Sequence, residues 1–337
     1  LRLRGELLPS KFRELTDAEL EGDVNEILSE SQQNHFHKGK DLDFAYMSEE
    51  GNRFRVNLFR KDTGVGAVFR YVPAEVPDLD ALGIPPIVKE LCDYHQGMVL
   101  VTGATGSGKS TTLAAMLNHI NSSQQLNVIS LEDPIEFVHT SDKSQIVQRE
   151  YNTHFRSFAD AVRAAMRQDP DVILVGEMRD TETIRMAMTA AETGHLVLGT
   201  LHTTSAVKTL DRIIDALPAL ERGQAKTFLS QSLIAVITQV LVKTMDGRAR
   251  KAVFEIMTQN KAISKLIMSD QVHLIPSQLQ TGKDQGMQVM DQALLDAVKA
   301  KEIDPDDTYR YATDKKKFTR FVTDTGILPK LDLDDMP

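Results

Sequence analysis

Cysteine is nearly absent from this 337-residue chain, with Cys92 the only one. A single thiol allows no disulfide framework and no four-cysteine zinc site within one chain. Such usage fits a reducing, cytoplasmic compartment. Cys92 lies in an apolar-patterned stretch and reads as a small core residue. Long apolar runs are missing too. The longest apolar pattern, residues 228–242, is broken by Ser230, Gln231, Ser232, Thr238 and Gln239, so no membrane span is expected. Positive charge is not in excess: 39 Lys and Arg face 48 Asp and Glu, for a net charge of −9. This argues against an enzyme held on nucleic acid mainly through phosphates. There are no internal repeats, and no signal peptide is visible in the sequence.

What remains is ordinary for a globular protein, with 41% hydrophobic and 26% charged residues. The length is enough for two domains and a sizeable core. The informative stretch is Gly103-Ala104-Thr105-Gly106-Ser107-Gly108-Lys109-Ser110, which fits the phosphate-binding P-loop. A short apolar run, residues 98–102, precedes it as a buried strand should. A helical pattern opens at Thr111. Glycines let the backbone turn tightly and present N–H groups to phosphate oxygens. The helix aims its positive end at the same anion. Lys109 is expected to reach the β- and γ-phosphates of a nucleotide, and the Ser110 hydroxyl to hold Mg²⁺.

Ahead of this motif, residues 1–82 read as a small α+β unit. A helix is expected over 12–31, with Thr16 or Asp17 as cap. Strands are expected at 42–46, 53–60 and 64–72, forming an antiparallel meander with helices to one side. Arg53, Arg55, Arg60 and Arg70 lie on those strands. From pattern alone they read as solvated strand edges; the alternative is that they reach a neighbouring subunit's nucleotide as arginine fingers. Pro73, Pro77, Gly83, Pro85 and Pro86 mark a boundary. Beyond it, strands and helices alternate as in a mostly parallel, doubly wound sheet. Strands are expected at 98–102, 127–131, 172–175 and 196–201. The helices between and around them are expected at 87–96, 155–167, 181–192 and 205–217. The helical pattern continues over 224–237. A hairpin of 240–243 with 252–256 follows, then helices at 261–268, 290–301 and 314–323. Residues 329–337 are acidic and expected to be disordered.

Three further clusters follow strands, at the carboxyl edge where such sheets bind ligands. Glu132-Asp133-Pro134-Ile135-Glu136 offers carboxylates for Mg²⁺ or for positioning water. Residues 172–177 are four apolar residues, then Gly176 and Glu177, a Walker B pattern with glycine where an acid is usual. Glu177 would be the Mg²⁺-side acid or the base that orients water. Gly194-His195 and His202-Thr203 flank one strand, and either histidine could sense a γ-phosphate. Nothing has paired zinc-ligand spacing, so no zinc is expected.

Taken together these motifs make the sequence resemble the secretion ATPase superfamily and, within it, the PilT/PilU type IV pilus retraction ATPases. The resemblance runs through the Walker A loop, the Asp box 131–136, the Walker B element 172–177 and the His box from Ala191 to Thr203. It extends to Arg167-Gln168-Asp169-Pro170-Asp171, to Val65-Gly66-Ala67-Val68-Phe69-Arg70 and to Gln285-Gly286-Met287-Gln288. Within this family Gly176-Glu177 is the normal Walker B ending. The resemblance implies an α/β protein with a PAS-like α+β domain over 1–82, entered partway at Leu1. A RecA-like P-loop ATPase domain with C-terminal helices would follow over 83–337. It further implies a cytoplasmic homohexamer at the inner-membrane base of a pilus machine. Such a ring would act on a platform protein, with a second paralogous ATPase as a further partner. Residues Gly103 to Thr111 would bind ATP, with Mg²⁺ at Ser110 and Glu177. Glu132, Glu136 and Glu177 would manage Mg²⁺ and water, and His202 or His195 would read the γ-phosphate. Arg53, Arg55 or Arg70 would act in trans. The family's Ser-Asp-Leu-His segment is absent, and Ser264 stands where a C-terminal motif has arginine. Assembly and secretion ATPases of the PilB/GspE kind carry a four-cysteine module that this chain lacks. A nucleic-acid translocase would want a basic channel. A regulatory subunit that hydrolyses little would not need Glu132, Glu177 and His202 intact.

Overall fold

The computed structural model describes residues 1–3, 6–72 and 75–328. A short antiparallel pair, β1 (Arg2–Leu3) and β2 (Glu6–Leu7), opens the chain. Then come α1 (Asp17–Glu26) and α2 (Glu30–His37), each started by a capping box, Thr16 with Glu19 and Ser29 with Gln32. The single helix expected over 12–31 is therefore two. The second box supplies new partners for free N–H groups and starts a second helix. Strands β3 (Leu42–Met47), β4 (Arg53–Lys61) and β5 (Gly64–Val72) form an antiparallel three-stranded sheet in chain order. Leu42, Val56, Leu58 and Val65 on one face pack on Val24, Leu28 and Phe36 of the helices. Asp43, Arg53, Arg55 and Arg70 share the other face, as the strand period of two requires.

The next elements are α3 (Ile87–Leu91), β6 (Gly97–Thr102), α4 (Lys109–Ser123), β7 (Asn127–Glu132) and β8 (Gln145–Glu150). They are followed by α5 (Phe158–Ala165), β9 (Val172–Val175), α6 (Thr181–Glu192), β10 (Leu196–Leu201), α7 (Ala206–Ala216) and α8 (Arg222–Gln231). Last come β11 (Leu233–Lys243), β12 (Arg250–Thr258), α9 (Lys261–Met268), α10 (Ile275–Thr281), α11 (Met290–Lys299) and α12 (Pro305–Tyr311). Their strands make one seven-stranded sheet in the order β12-β11-β6-β10-β9-β7-β8. Every neighbouring pair is parallel except β11 with β12. Helices cover both faces. Met98 and Leu100 of β6 join one core with Val162, Ile184 and Ile213, while Val99 and Val101 join another with Leu113, Met116 and Leu117. Burying a Leu, Ile, Val or Met fully contributes roughly 1.5–3 kcal/mol, so the two cores hold P-loop and helix rigidly on the sheet.

Several boundaries differ from expectation. The helix expected over 224–237 ends at Gln231, and Leu233–Lys243 is a strand. Ile234, Val236, Ile237 and Thr238 are β-branched and buried in the sheet interior, where extended backbone packs them better than a helix. The hairpin is correspondingly longer than the four- and five-residue arms expected. Strand β8 carries Gln145, Gln148, Arg149 and Glu150, too polar to read as a strand; it is one edge of the sheet. The helix expected over 314–323 is two short 3₁₀ turns. The real helix there, α12, begins just earlier with Asp304 as cap and Pro305 in its first turn. The expectation for residues 329–337 lies outside the described residues. No helix among the described residues is long and apolar enough to cross a membrane.

Candidate nucleotide-binding site

The phosphate loop leaves β6 between β10 and β11. Leu201 pairs with Thr102 on one side and Thr238 pairs with Thr102 on the other. His202 and Gln239 are thus the next residues on either side of Gly103. Lys109 Nζ donates to the carbonyls of Gly103 and Ala104 at 3.0 and 3.2 Å. Burial lowers the Lys109 pKa, and the charges of Glu177 and Glu136 oppose that shift. Both carboxylates therefore sit within electrostatic reach of the ammonium. Ser110 and Thr111 occupy the first turn of α4, where free N–H groups cluster. Ser107 Oγ is buried and has no hydrogen-bond partner. An unmatched hydroxyl in a loop of N–H groups fits a phosphate ligand.

Glu177 lies just beyond β9. Arg179 Nε and His202 Nε2 both donate to its Oε1, at 2.5 and 2.8 Å. Burial alone would raise its pKa, yet Arg179 and His202 together hold it below the usual carboxylate value. Gly176 explains the missing acid of the Walker B pattern. A Cβ there would come within 2.9 Å of the Leu131 carbonyl oxygen and 3.2 Å of Glu132 Cα. The backbone crossing is too close for an aspartate.

Glu132 ends β7. Its Oε1 accepts from Ser130 Oγ at 2.7 Å and Gln148 Nε2 at 3.0 Å. Burial raises its pKa against those two donors. Gln148 also donates to Phe137 O, and Glu150 Oε2 accepts from Ile135 N at 3.1 Å. Strand β8 thus pins the acidic loop at both ends. Glu136 is half-buried on that loop. No group of three His, Cys, Asp or Glu among the described residues could hold a metal. Ser110 and the ionised Glu177 fit Mg²⁺ shared with substrate phosphates, since Mg²⁺ takes few protein ligands and keeps waters.

The sequence-based residues do not all converge. Glu132, Glu136, Glu177, Lys109 and His202 meet at the carboxyl edge. His195 does not: it precedes β10, level with the start of β6, roughly 20 Å from His202 along the strand at about 3.3 Å per residue. Its Nδ1 lies 2.9 Å from Ala190 O, closing the end of α6. The arginines are mostly engaged within the chain. Arg53 pairs with Glu150 at 3.7 Å. Arg55 makes a bidentate pair with Asp43, at 3.1 and 2.8 Å, and feels the charges of Asp133 and Glu136. Arg70 lies directly opposite Arg55 and is exposed. Gln148, Glu150, Arg179 and Gln239 were not singled out from sequence. No motif marks the first three; Gln239 carried a signal, a polar residue inside an apolar run.

A glycine loop on a doubly wound sheet, facing an ionised carboxylate and a histidine, defines a P-loop nucleotide-binding protein. The chain belongs to the Type II/IV secretion system protein family, whose model matches residues 43–323. It is 47% identical to a twitching motility protein of Neisseria gonorrhoeae, over 95% of this chain and 85% of that protein. It is 46% identical to the type IV pilus retraction ATPase PilT of Pseudomonas aeruginosa, over 87% of this chain and 85% of that one. A crystal structure of the pilus retraction motor PilT with bound ADP superposes with a TM-score of 0.83 at 40% identity, covering 89% of this chain and 85% of that chain.

Proposed function

We propose that this chain is an ATP-hydrolysing motor of a type IV pilus machine and that its turnover drives pilus retraction. The observation that carries the chemistry is Glu177, held ionised by Arg179 and His202 within electrostatic reach of Lys109. Similarity to proteins named for twitching motility and pilus retraction, over most of both chains, supports the direction of force. Lys109 and the loop N–H groups bind the β- and γ-phosphates. Glu177 orients the attacking water, with Glu132 and Glu136 bordering its path. His202 reports the γ-phosphate to Glu177 through their shared hydrogen bond. Ser110 and Glu177 would hold Mg²⁺, which would supply neutralising charge for the phosphates. Little covalent chemistry is asked of the protein; positioning and charge stabilisation suffice.

Residues 1–82 form a PAS-like domain and 83–337 a RecA-like domain in this reading, and six copies form a cytoplasmic ring. The ring passes motion to an inner-membrane platform protein, with a paralogous ATPase as a further partner. Arg70 is the strongest candidate for action in trans. Like charges directly opposed on neighbouring strands cost stability, and Arg55 is compensated by Asp43 while Arg70 is exposed. An anion from a neighbouring subunit would compensate the pair.

The test is a count of surface pili in a strain lacking the protein, complemented with wild type or Lys109→Ala. Excess pili, restored to normal only by wild type, are expected. Few or no pili would overturn retraction in favour of assembly, and an unchanged count would overturn it in favour of an accessory role.

A further inference from the structure

We propose that Gln239 is a positioning residue that aims the phosphate loop at its nucleotide. The inference rests on the nucleotide-binding reading above. Gln239 is 1% exposed, on β11 just past its last pair with β6. Its Nε2 donates to Ser107 O at 2.6 Å, and its Oε1 accepts from Thr112 Oγ1 at 2.8 Å. One side chain thus ties the glycine loop to the first turn of α4.

The consequence follows from peptide geometry. In a trans peptide the C=O and N–H point opposite ways. Holding the Ser107 carbonyl against Gln239 therefore turns the Gly108 N–H away from β11. Two other loop carbonyls, Gly103 O and Ala104 O, are similarly engaged, accepting from Lys109. A carbonyl left free to rotate would present a lone pair where a phosphate oxygen must sit. Gln239 also limits what the loop can contain. A Cβ at Gly103 would lie 2.4 Å from the Gln239 backbone oxygen, and one at Gly108 would lie 2.9 Å from its Nε2. Both glycines also have positive φ, 141° and 91°, where side chains are strained. The spacing of the motif's first and last glycine is thus read against this one residue.

The predicted signature is loss of affinity rather than of the chemical step, because phosphate-loop contacts exist in ground and transition states alike. Gln239→Met keeps the size and removes both polar ends. Gln239→Glu keeps the acceptor for Thr112 but sets an oxygen against Ser107 O. A lost hydrogen bond that leaves a buried carbonyl unmatched weakens binding about tenfold. A fluorescent ADP analogue titrated onto the assembled full-length protein should therefore bind about tenfold more weakly to Gln239→Met. Binding to Gln239→Glu should be weaker still. KM for ATP should rise in parallel, with kcat at saturation within about threefold of wild type. The nearby control is the double variant Thr102→Val/Thr238→Val, which removes the buried hydroxyl pair at 2.8 Å without touching the loop. It should bind the analogue as wild type does. Equal affinity of wild type and Gln239→Glu would overturn the inference alone. So would a fall in melting temperature and kcat with KM unchanged, which marks a merely structural residue. Failure of wild type to bind would overturn the functional reading, and this inference with it.

Discussion

The seven-stranded sheet gathers its polar groups at one edge, whereas the three-stranded sheet spreads its arginines along one face. In the first, strands β6, β9 and β10 are buried throughout, so polar chemistry can appear only where they end. Glu132, Glu177 and His202 stand at or just past a strand's last residue, and Gln239 stands on β11 just past its last pair with β6. In the second, one face is covered by α1 and α2 and the other carries Asp43, Arg53, Arg55 and Arg70. The first arrangement is complete within one chain: Lys109, Glu177 and His202 already lie together. The second is not. Arg53 and Arg55 are matched by Glu150 and Asp43, while Arg70 faces Arg55. In the function proposed above, nucleotide binding therefore belongs to the single chain and rapid hydrolysis draws on a neighbouring one.

The largest effect is expected at Arg70. Arg70→Ala should lower kcat about a thousandfold, as loss of an arginine finger does, with nucleotide affinity retained. Mixing Arg70→Ala with Lys109→Ala subunits should restore turnover in a steady-state ATPase assay, because a composite site then holds both groups. No recovery on mixing would place Arg70 outside a neighbour's site. A smaller effect is expected at Arg53. Its partner Glu150 holds Ile135 N of the acidic loop. Arg53→Ala should lower kcat about tenfold or less together with the melting temperature, and Glu150→Gln should do the same. A loss as large as that of Arg70→Ala would make Arg53 the finger instead.

The smallest effect is expected at Glu132. Burial raises the Glu132 pKa above its ordinary value, so folding favours the protonated form. That contribution is present below the ordinary carboxylate pKa and is lost as pH rises through the raised native value. Glu132→Gln escapes the loss. Its melting temperature should exceed that of wild type by on the order of 2 °C at neutral pH, the gap closing toward about pH 4, while its ATPase falls. A constant gap across that range would show that burial does not raise the Glu132 pKa.

Much of the seven-stranded sheet was legible because buried parallel strands read as short apolar runs. Residues 98–102, 172–175 and 196–201 were placed within a residue of their ends. The P-loop was legible because its glycines and lysine have few other uses. Residues 233–237 are a strand where a helix is expected, because continuous apolarity fits a buried helix or a buried strand equally, and only the place beside β6 decides; the strand expected at 240–243 is the second half of β11. Strand β8 was invisible since an edge strand needs no apolar pattern; what it contributes, Gln148 and Glu150, comes through pairing with β7. The separation of His195 from His202 also escaped the sequence. Both flank one strand, and only the direction of that strand tells which end meets the phosphates.

Glu177 carries the largest share of the proposed chemistry. The decisive measurement is steady-state ATP hydrolysis by Glu177→Gln, made alongside its affinity for a fluorescent ADP analogue. Turnover should fall about a hundredfold or more, while binding stays within about threefold of wild type. Turnover equal to wild type at unchanged affinity would contradict the central claim, that the carboxylate held between Arg179 and His202 carries the hydrolysis.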